Sequence, residues 1–176
     1  MEYYAIYNTK DKILGKSQCE CSGEYTVCIP ITSDIYNNFE QYIYSNGEII
    51  INPEWDNIQL DNAKESKIAE NDTVRDKKLL EGVTYSNVLF DSDNEQKINL
   101  LAKYSMMSDT DTVVWYGMDN QPLLCTKDDL MAIGQLIETL HTFCWENNAY
   151  IKEQIAQAKT IEQLEEIDIS YDRVDT

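Results

Sequence analysis

Hydrophobic side chains are placed with two different periods along the chain. Over the first fifty-odd residues they recur at every second position: Tyr3, Ala5 and Tyr7 fall on one face, with Tyr4 and Ile6 on the other. That alternation predicts strands, and Ile13-Leu14-Gly15 after a polar turn completes a first hairpin. Thr26-Val27-Cys28-Ile29 predicts a further strand closed by Pro30, after which Ser33 can cap a short helix through Phe39. The sharpest local signal is Asn46-Gly47 between Gln41–Ser45 and Glu48–Ile51. Asn and Gly accept the positive φ angles of a type I′ turn, and the register that turn imposes sets Tyr44 opposite Ile49 and Tyr42 opposite Ile51.

From Asp56 to Glu81 the chain is charge-rich and contains no Gly or Pro. Its apolar positions are sparse, which predicts a solvated connecting helix, braced by Asp61 with Lys64 and Asp72 with Arg75 and stopped by Gly82. Beyond it Val83-Thr84-Tyr85 and Val88-Leu89-Phe90 flank Ser86-Asn87 as a small hairpin. Asp91 or Asp93 then caps a helix whose apolar stripe reads Ile98, Leu101, Ala102 and Ser105. Val113–Tyr116 and Leu123–Cys125 predict another hairpin around a polar turn. Thr126 and Asp129 open a long helix to about Lys159, with Leu130, Ile133, Ile137, Leu140, Cys144, Ile151 and Ile155 as its apolar stripe. Leu130, Ile137, Cys144, Ile151 and Ala158 step by seven, so the stripe has two readings, packing within the chain or a coiled-coil seam. Thr160 and Gln163 cap a last short helix carrying Ile161, Leu164 and Ile167.

Together these elements give an α+β fold in four parts. An N-terminal β-rich unit covers residues 1–55 and a charged connecting helix 56–81. A C-terminal α+β domain covers 82–170, followed by a polar tail at 171–176.

Charge narrows the partners. With 32 acidic against 14 basic residues the formal charge is -18, which opposes nucleic-acid phosphates and anionic membrane surfaces, so neither is expected as a partner. Regularly spaced carboxylates on one face would make a nucleic-acid mimic, yet the acids are dispersed among caps, turns and a mixed-charge helix. The opening MEYYAIYNTK carries no basic segment leading into an apolar run, and no stretch approaches the roughly 20 apolar residues of a membrane span, so synthesis in a cytoplasm is expected. The cysteines, Cys19, Cys21, Cys28, Cys125 and Cys144, are odd in number and lack paired C-x-x-C spacing, which favours reduced thiols over a disulfide framework or a zinc site.

Catalytic chemistry finds little support. His141 is the sole histidine and lies beside Leu140 on the packed side of the long helix, without a nucleophile elbow. Asp91-Ser92-Asp93-Asn94-Glu95 resembles the start of a calcium loop, but position six is Gln96 where Gly is needed. The glycines are scattered, so no phosphate-cradling loop occurs. No catalytic residue, cofactor or metal is therefore expected. Tyrosines crowd the N-terminal unit and are equally suited to a small core or a contact face.

Residues 78–170 resemble a C-terminal domain of bacteriophage and prophage tail proteins. The likeness rests on Gly82–Asp91, Val114-Trp115, Asp119-Asn120-Gln121-Pro122, Thr126 opening the long helix, and Ala158–Leu164. The N-terminal segment, with Tyr4-Ala5-Ile6 and Tyr42–Ile49, resembles the lead segment of small proteins encoded among tail-fibre and baseplate genes. The resemblance implies a structural tail or tail-like-particle protein, a fibre- or baseplate-associated adaptor made in the bacterial cytoplasm. Other tail proteins would be its partners. The alternative is an assembly chaperone that leaves before the particle is finished. Since tail fibres are commonly trimers, the seven-residue stripe could belong to a homotrimer. Tyr42, Tyr44, Ile49, Ile51, Leu130, Ile137 and Ile151 are the candidate interaction residues.

Overall fold

The alternating segment at the start of the chain becomes a three-stranded antiparallel sheet with strand order β2-β1-β3. The strands are β1 (Tyr3–Asn8), β2 (Ile13–Ser17) and β3 (Thr26–Ile31), in a computed structural model that describes residues 2–10 and 12–172. Pro30 does not close the third strand as expected; it pairs with Tyr4 inside it. A proline lacks the ladder N–H but is tolerated on an edge strand, and β3 is an edge. The following helix α1 (Ser33–Asn37) is capped by Thr32, one residue before the predicted Ser33, through the Thr32 hydroxyl on the Ile35 N–H. It ends before Phe39, which begins a 3-10 turn, Phe39–Gln41. The Asn46-Gly47 hairpin forms as β4 (Tyr42–Ser45) and β5 (Glu48–Ile51), with Tyr44 opposite Ile49 and Tyr42 opposite Ile51. Asn46 and Gly47 adopt φ of 51° and 95°.

The chain is α+β and divides into two compact units, Met1–Asp61 and Asn62–Thr176, with the boundary inside helix α2 (Trp55–Leu80). The first unit has a thin interior in which Ala5 is the one buried apolar residue among those described. Aromatic faces supply the rest. Tyr7 stacks on Tyr44 with ring centroids 4.1 Å apart, and Tyr3 meets Tyr36 at 4.6 Å. Lys16 donates to the Tyr36 carbonyl at 2.7 Å and lies over the same ring.

In the second unit Gly82 stops α2 at φ +75°, where an added Cβ would lie 2.3 Å from the Phe90 carbonyl oxygen. The hairpin β6 (Val83–Tyr85) and β7 (Val88–Phe90) follows, turned by Ser86 and Asn87 at φ 50° and 63°. Asp93 caps α3 (Asn94–Met106), and β8 (Thr112–Tyr116) pairs with β9 (Pro122–Thr126). Helix α4 (Lys127–Gln157) opens on a full capping box between Thr126 and Asp129, a feature that stabilises a helix by about 1 kcal/mol. Thr160 caps the final helix α5 (Ile161–Glu165). The core gathers Val88, Phe90, Leu100, Met107, Cys125, Leu130, Ile133 and Ile137.

Two expectations about helix faces change. All seven predicted stripe residues of α4 are buried, and Asn148 joins them. The burial runs Leu130, Ile133, Ile137, Leu140, Cys144, Asn148, Ile151, Ile155, in steps of three or four, as on a straight helix packed within its own unit. Leu130, Ile137 and Ile151, with Cys144 and Ala158 in the same seven-step series, are thus committed to intrachain packing and are not free to form a trimeric seam. The stripe assigned to α3 is inverted: Ile98 and Leu101 are 66% and 63% exposed, with Ala102 and Ser105 also outward. Leu100 and Met107 are buried and Tyr104 half-buried on the opposite side.

The solvated reading of α2 also misses its polar anchor. Asn71 is fully buried. It donates to the Asn148 carbonyl at 3.3 Å and accepts from the Tyr171 hydroxyl at 2.8 Å. Beside it Asp72 receives Lys152 at 2.7 Å, Asn148 Nδ2 at 2.9 Å and Arg75 at 3.0 Å, and Arg75 lies over the Trp145 ring at 4.3 Å. The Asp72–Arg75 pair forms as predicted, whereas Lys64 donates to the Ala156 carbonyl. Of the polar tail at 171–176, residues 173–176 lie outside the described residues, and Tyr171 is buried.

Asn71→Ala removes both bonds and takes the Asn71 partner from the buried Tyr171 hydroxyl. A loss of about 1–3 kcal/mol is expected, read as a lower urea midpoint with an unchanged slope. The Lys152 ammonium, then Asn148, hold the Asp72 carboxyl below its ordinary value. Its folded form therefore binds a proton less readily than its unfolded form. The resulting stability is complete above the unfolded carboxylate pKa of about 4 and is lost as pH falls through the depressed folded value. The Asp72 contribution to the urea midpoint should therefore stay level down to about pH 4 and fall only below it, and the Asp72→Asn variant should be weaker at neutrality with a flatter acid limb.

Candidate interaction surface

A two-stranded sheet that covers a core on one side normally turns polar residues outward. The β8–β9 hairpin does not. Its register pairs Val113 with Cys125 and Trp115 with Leu123 on the face that meets the core. The other face carries the Thr112–Thr126 pair at one end and then the Val114–Leu124 and Tyr116–Pro122 pairs, with Leu124 66% exposed and Tyr116 58%. Beside it a cleft is walled by Gln96, Asn99, Lys103 and Met106 of α3 and by Val114 and Tyr116 of β8.

A second apolar depression lies on the seam between α3 and α4. The two helices run antiparallel: Lys97 bonds Glu138 at 2.9 Å, Leu100 meets Gly134, and Lys127 lies over the Tyr104 ring at 5.2 Å. Gly134 lets the two helices sit a few tenths of an ångström closer, since a Cβ there would stand 3.2 Å from Leu100 Cδ2. Leu100 fills the seam, and the outward residues Ile98, Leu101, Met131 and Gln135 are left to line a groove of about 670 Å³. The groove continues along α4, past the shared residues Gln135 and Glu138, into a depression lined by Thr139, Thr142, Phe143 and Glu146. Scattered exposed apolar residues are ordinary, but contiguous ones mark contact surfaces.

The structure separates the candidate interaction residues. Leu130, Ile137 and Ile151 are core. Tyr44 is stacked on Tyr7, Tyr42 and Ile49 are half-buried, and Ile51 alone of that group is exposed. Sequence reasoning missed Ile98, Leu101, Met131, Val114 and Leu124 as surface. One signal was available: Gly134 inside a long helix costs about 1 kcal/mol against Ala, and such a residue marks a close neighbour that fixes which face turns inward.

Titratable groups are occupied locally. His141 Nε2 donates to the Ser92 carbonyl at 2.6 Å, while the Ser92 hydroxyl donates to the Leu79 carbonyl. The Thr126 hydroxyl, with Tyr85, holds the Asp129 carboxyl below its usual range. Burial pushes the Cys125 thiol up. A polar depression of about 640 Å³ beside α5 includes Glu166, Asp168 and Asp172, with Asp168 engaged in a turn to Ser170. Among the described residues no three of His, Cys, Asp and Glu are grouped to hold a metal ion, and no helix is long and apolar enough to cross a membrane.

These observations define an α+β chain whose C-terminal unit bears contiguous bare apolar surface. A model for a domain of unknown function, DUF4376, matches residues 62–171, and the chain belongs to that family. The matched segment coincides closely with the second compact unit. No curated protein and no solved structure matches the chain.

The inverted face of α3 is directly testable. Leu100→Ala is expected to cost about 2–5 kcal/mol. Ile98→Glu and Leu101→Glu should each stay within about 0.5 kcal/mol of the unsubstituted protein. Urea denaturation of the three variants checks the difference.

Proposed function

We propose that this protein is a protein-binding adaptor of a bacteriophage tail or tail-like particle, acting by holding other polypeptides and transforming no substrate. The observation that carries the binding half of this reading is the bare apolar groove between α3 and α4, with the exposed Val114, Tyr116 and Leu124 of the β8–β9 hairpin beside α3. Burying such surface against a partner releases roughly 25 cal/mol per Å², and nothing within the unit covers it. The tail assignment rests on the likeness of residues 78–170 to phage tail domains. An acidic surface suits neutral or basic protein partners.

Particles purified from a strain that encodes this chain provide the test. Quantitative mass spectrometry should find it in fixed proportion to the known fibre or baseplate proteins. Detection only in lysates at the assembly stage would replace the structural role with a chaperone's, and absence from both would remove the tail assignment.

A further inference from the structure

We propose that the α3–α4 groove receives a single amphipathic helix from a different polypeptide, apolar on its inserted face and rich in Lys or Arg on its flanks. This deepens the protein-binding reading above and rests on it.

A helix is favoured over a strand by the groove's walls. They are made of side chains from two helices whose backbone groups are already bonded, so a strand would find no edge to pair with. A helix needs only a trough of apolar contacts. Ile98 and Leu101 on one wall and Met131 on the other supply them, with Leu100 and Ile137 as the floor. From Met131 to Glu138 the two-walled trough extends about 10 Å at 1.5 Å per residue, room for about two turns, and a shallower depression on α4 alone carries on to Glu146. The inserted face would carry apolar residues at spacings of three and four.

The sign of the flanks follows from charge. Helix α4 contains no Lys or Arg between Lys127 and Lys152, while Asp128 and Glu146 are exposed acids on the side of α4 that carries the groove and its continuation. Among the described residues the one cation lining the groove, Lys97, is matched by Glu138 at 2.9 Å. A basic helix therefore gains steering and rim contacts. A second copy of this chain would bring a like-charged rim and a formal charge of -18 toward an identical surface, which disfavours self-association there.

The test titrates a fluorescein-labelled amphipathic peptide, with Leu on one helical face and Lys on its flanks, into the full chain and reads anisotropy. Two controls have the same Leu and Lys content scrambled and the Lys replaced by Glu. Micromolar binding is expected for the patterned basic peptide. It should weaken at least about tenfold for either control, for Ile98→Glu with Leu101→Glu, and for Met131→Glu. Amide shifts in the unsubstituted protein should concentrate in α3 and residues 131–146, which keeps the result independent of how the variants fold. Binding indifferent to the substitutions would reveal mere charge attraction and overturn the proposal. So would no response at sub-millimolar peptide, or a dimer in sedimentation that those substitutions dissolve. If the peptide fails while the chain is still found in particles at fixed stoichiometry, the adaptor reading stands and its contacts lie elsewhere.

Discussion

The contact between Leu100 and Gly134 decides how the C-terminal unit presents itself. A helix with apolar residues on two opposed sides can bury only one of them against a single neighbour. Gly134 lets α4 come close enough for Leu100 to fill the seam, and Tyr104 and Met107 follow it inward at helical spacing. Ile98 and Leu101 are left outside as a consequence. The groove is thus the remainder of a packing choice made one turn deeper, and its walls are as fixed as that contact.

The same unit depends on polar groups placed where a hydrophobic account would put none. Asn71 sits in the least apolar of the long helices, yet it is more completely buried than Ile151. Its amide holds α4 through Asn148 and the C-terminal segment through Tyr171. An isolated buried amide is costly, and here both ends of the side chain are satisfied. Such a joint fixes geometry more than it adds stability, because only one arrangement of the three segments satisfies every member.

Local grammar was highly legible in the sequence. Asn46-Gly47, Ser86-Asn87, Thr126 with Asp129, and Thr160 with Gln163 each act within a few residues, and each forms the turn or cap its chemistry dictates. The apolar stripe of α4 was legible because seven residues leave only one face to bury. What could not be read was decided between elements. The stripe on α3 was short enough for both sides to qualify, and the choice lay with Gly134, some thirty positions away. The outer face of β8–β9 was hidden for a related reason: alternation is invisible when both faces are apolar, so Val114 and Leu124 read as core until their partners are known.

The tyrosines of the N-terminal unit suit a small core as well as a contact face, and ring contacts within the unit support the first use. Tyrosine is enriched at protein contacts because it joins an apolar body to a polar tip. The same property lets it build the interior of a unit too small to bury aliphatic side chains fully, since the hydroxyl can stay wet while the ring is covered. Tyr3, Tyr7, Tyr36 and Tyr44 are used in that second way, Tyr7 stacked on Tyr44 and Tyr3 tilted against Tyr36. The aliphatic residues of the larger unit show the converse. That unit has core enough in α4, β6, β7 and the inner face of β8–β9, so Ile98, Leu101 and Leu124 are surplus to its packing and remain available for contact.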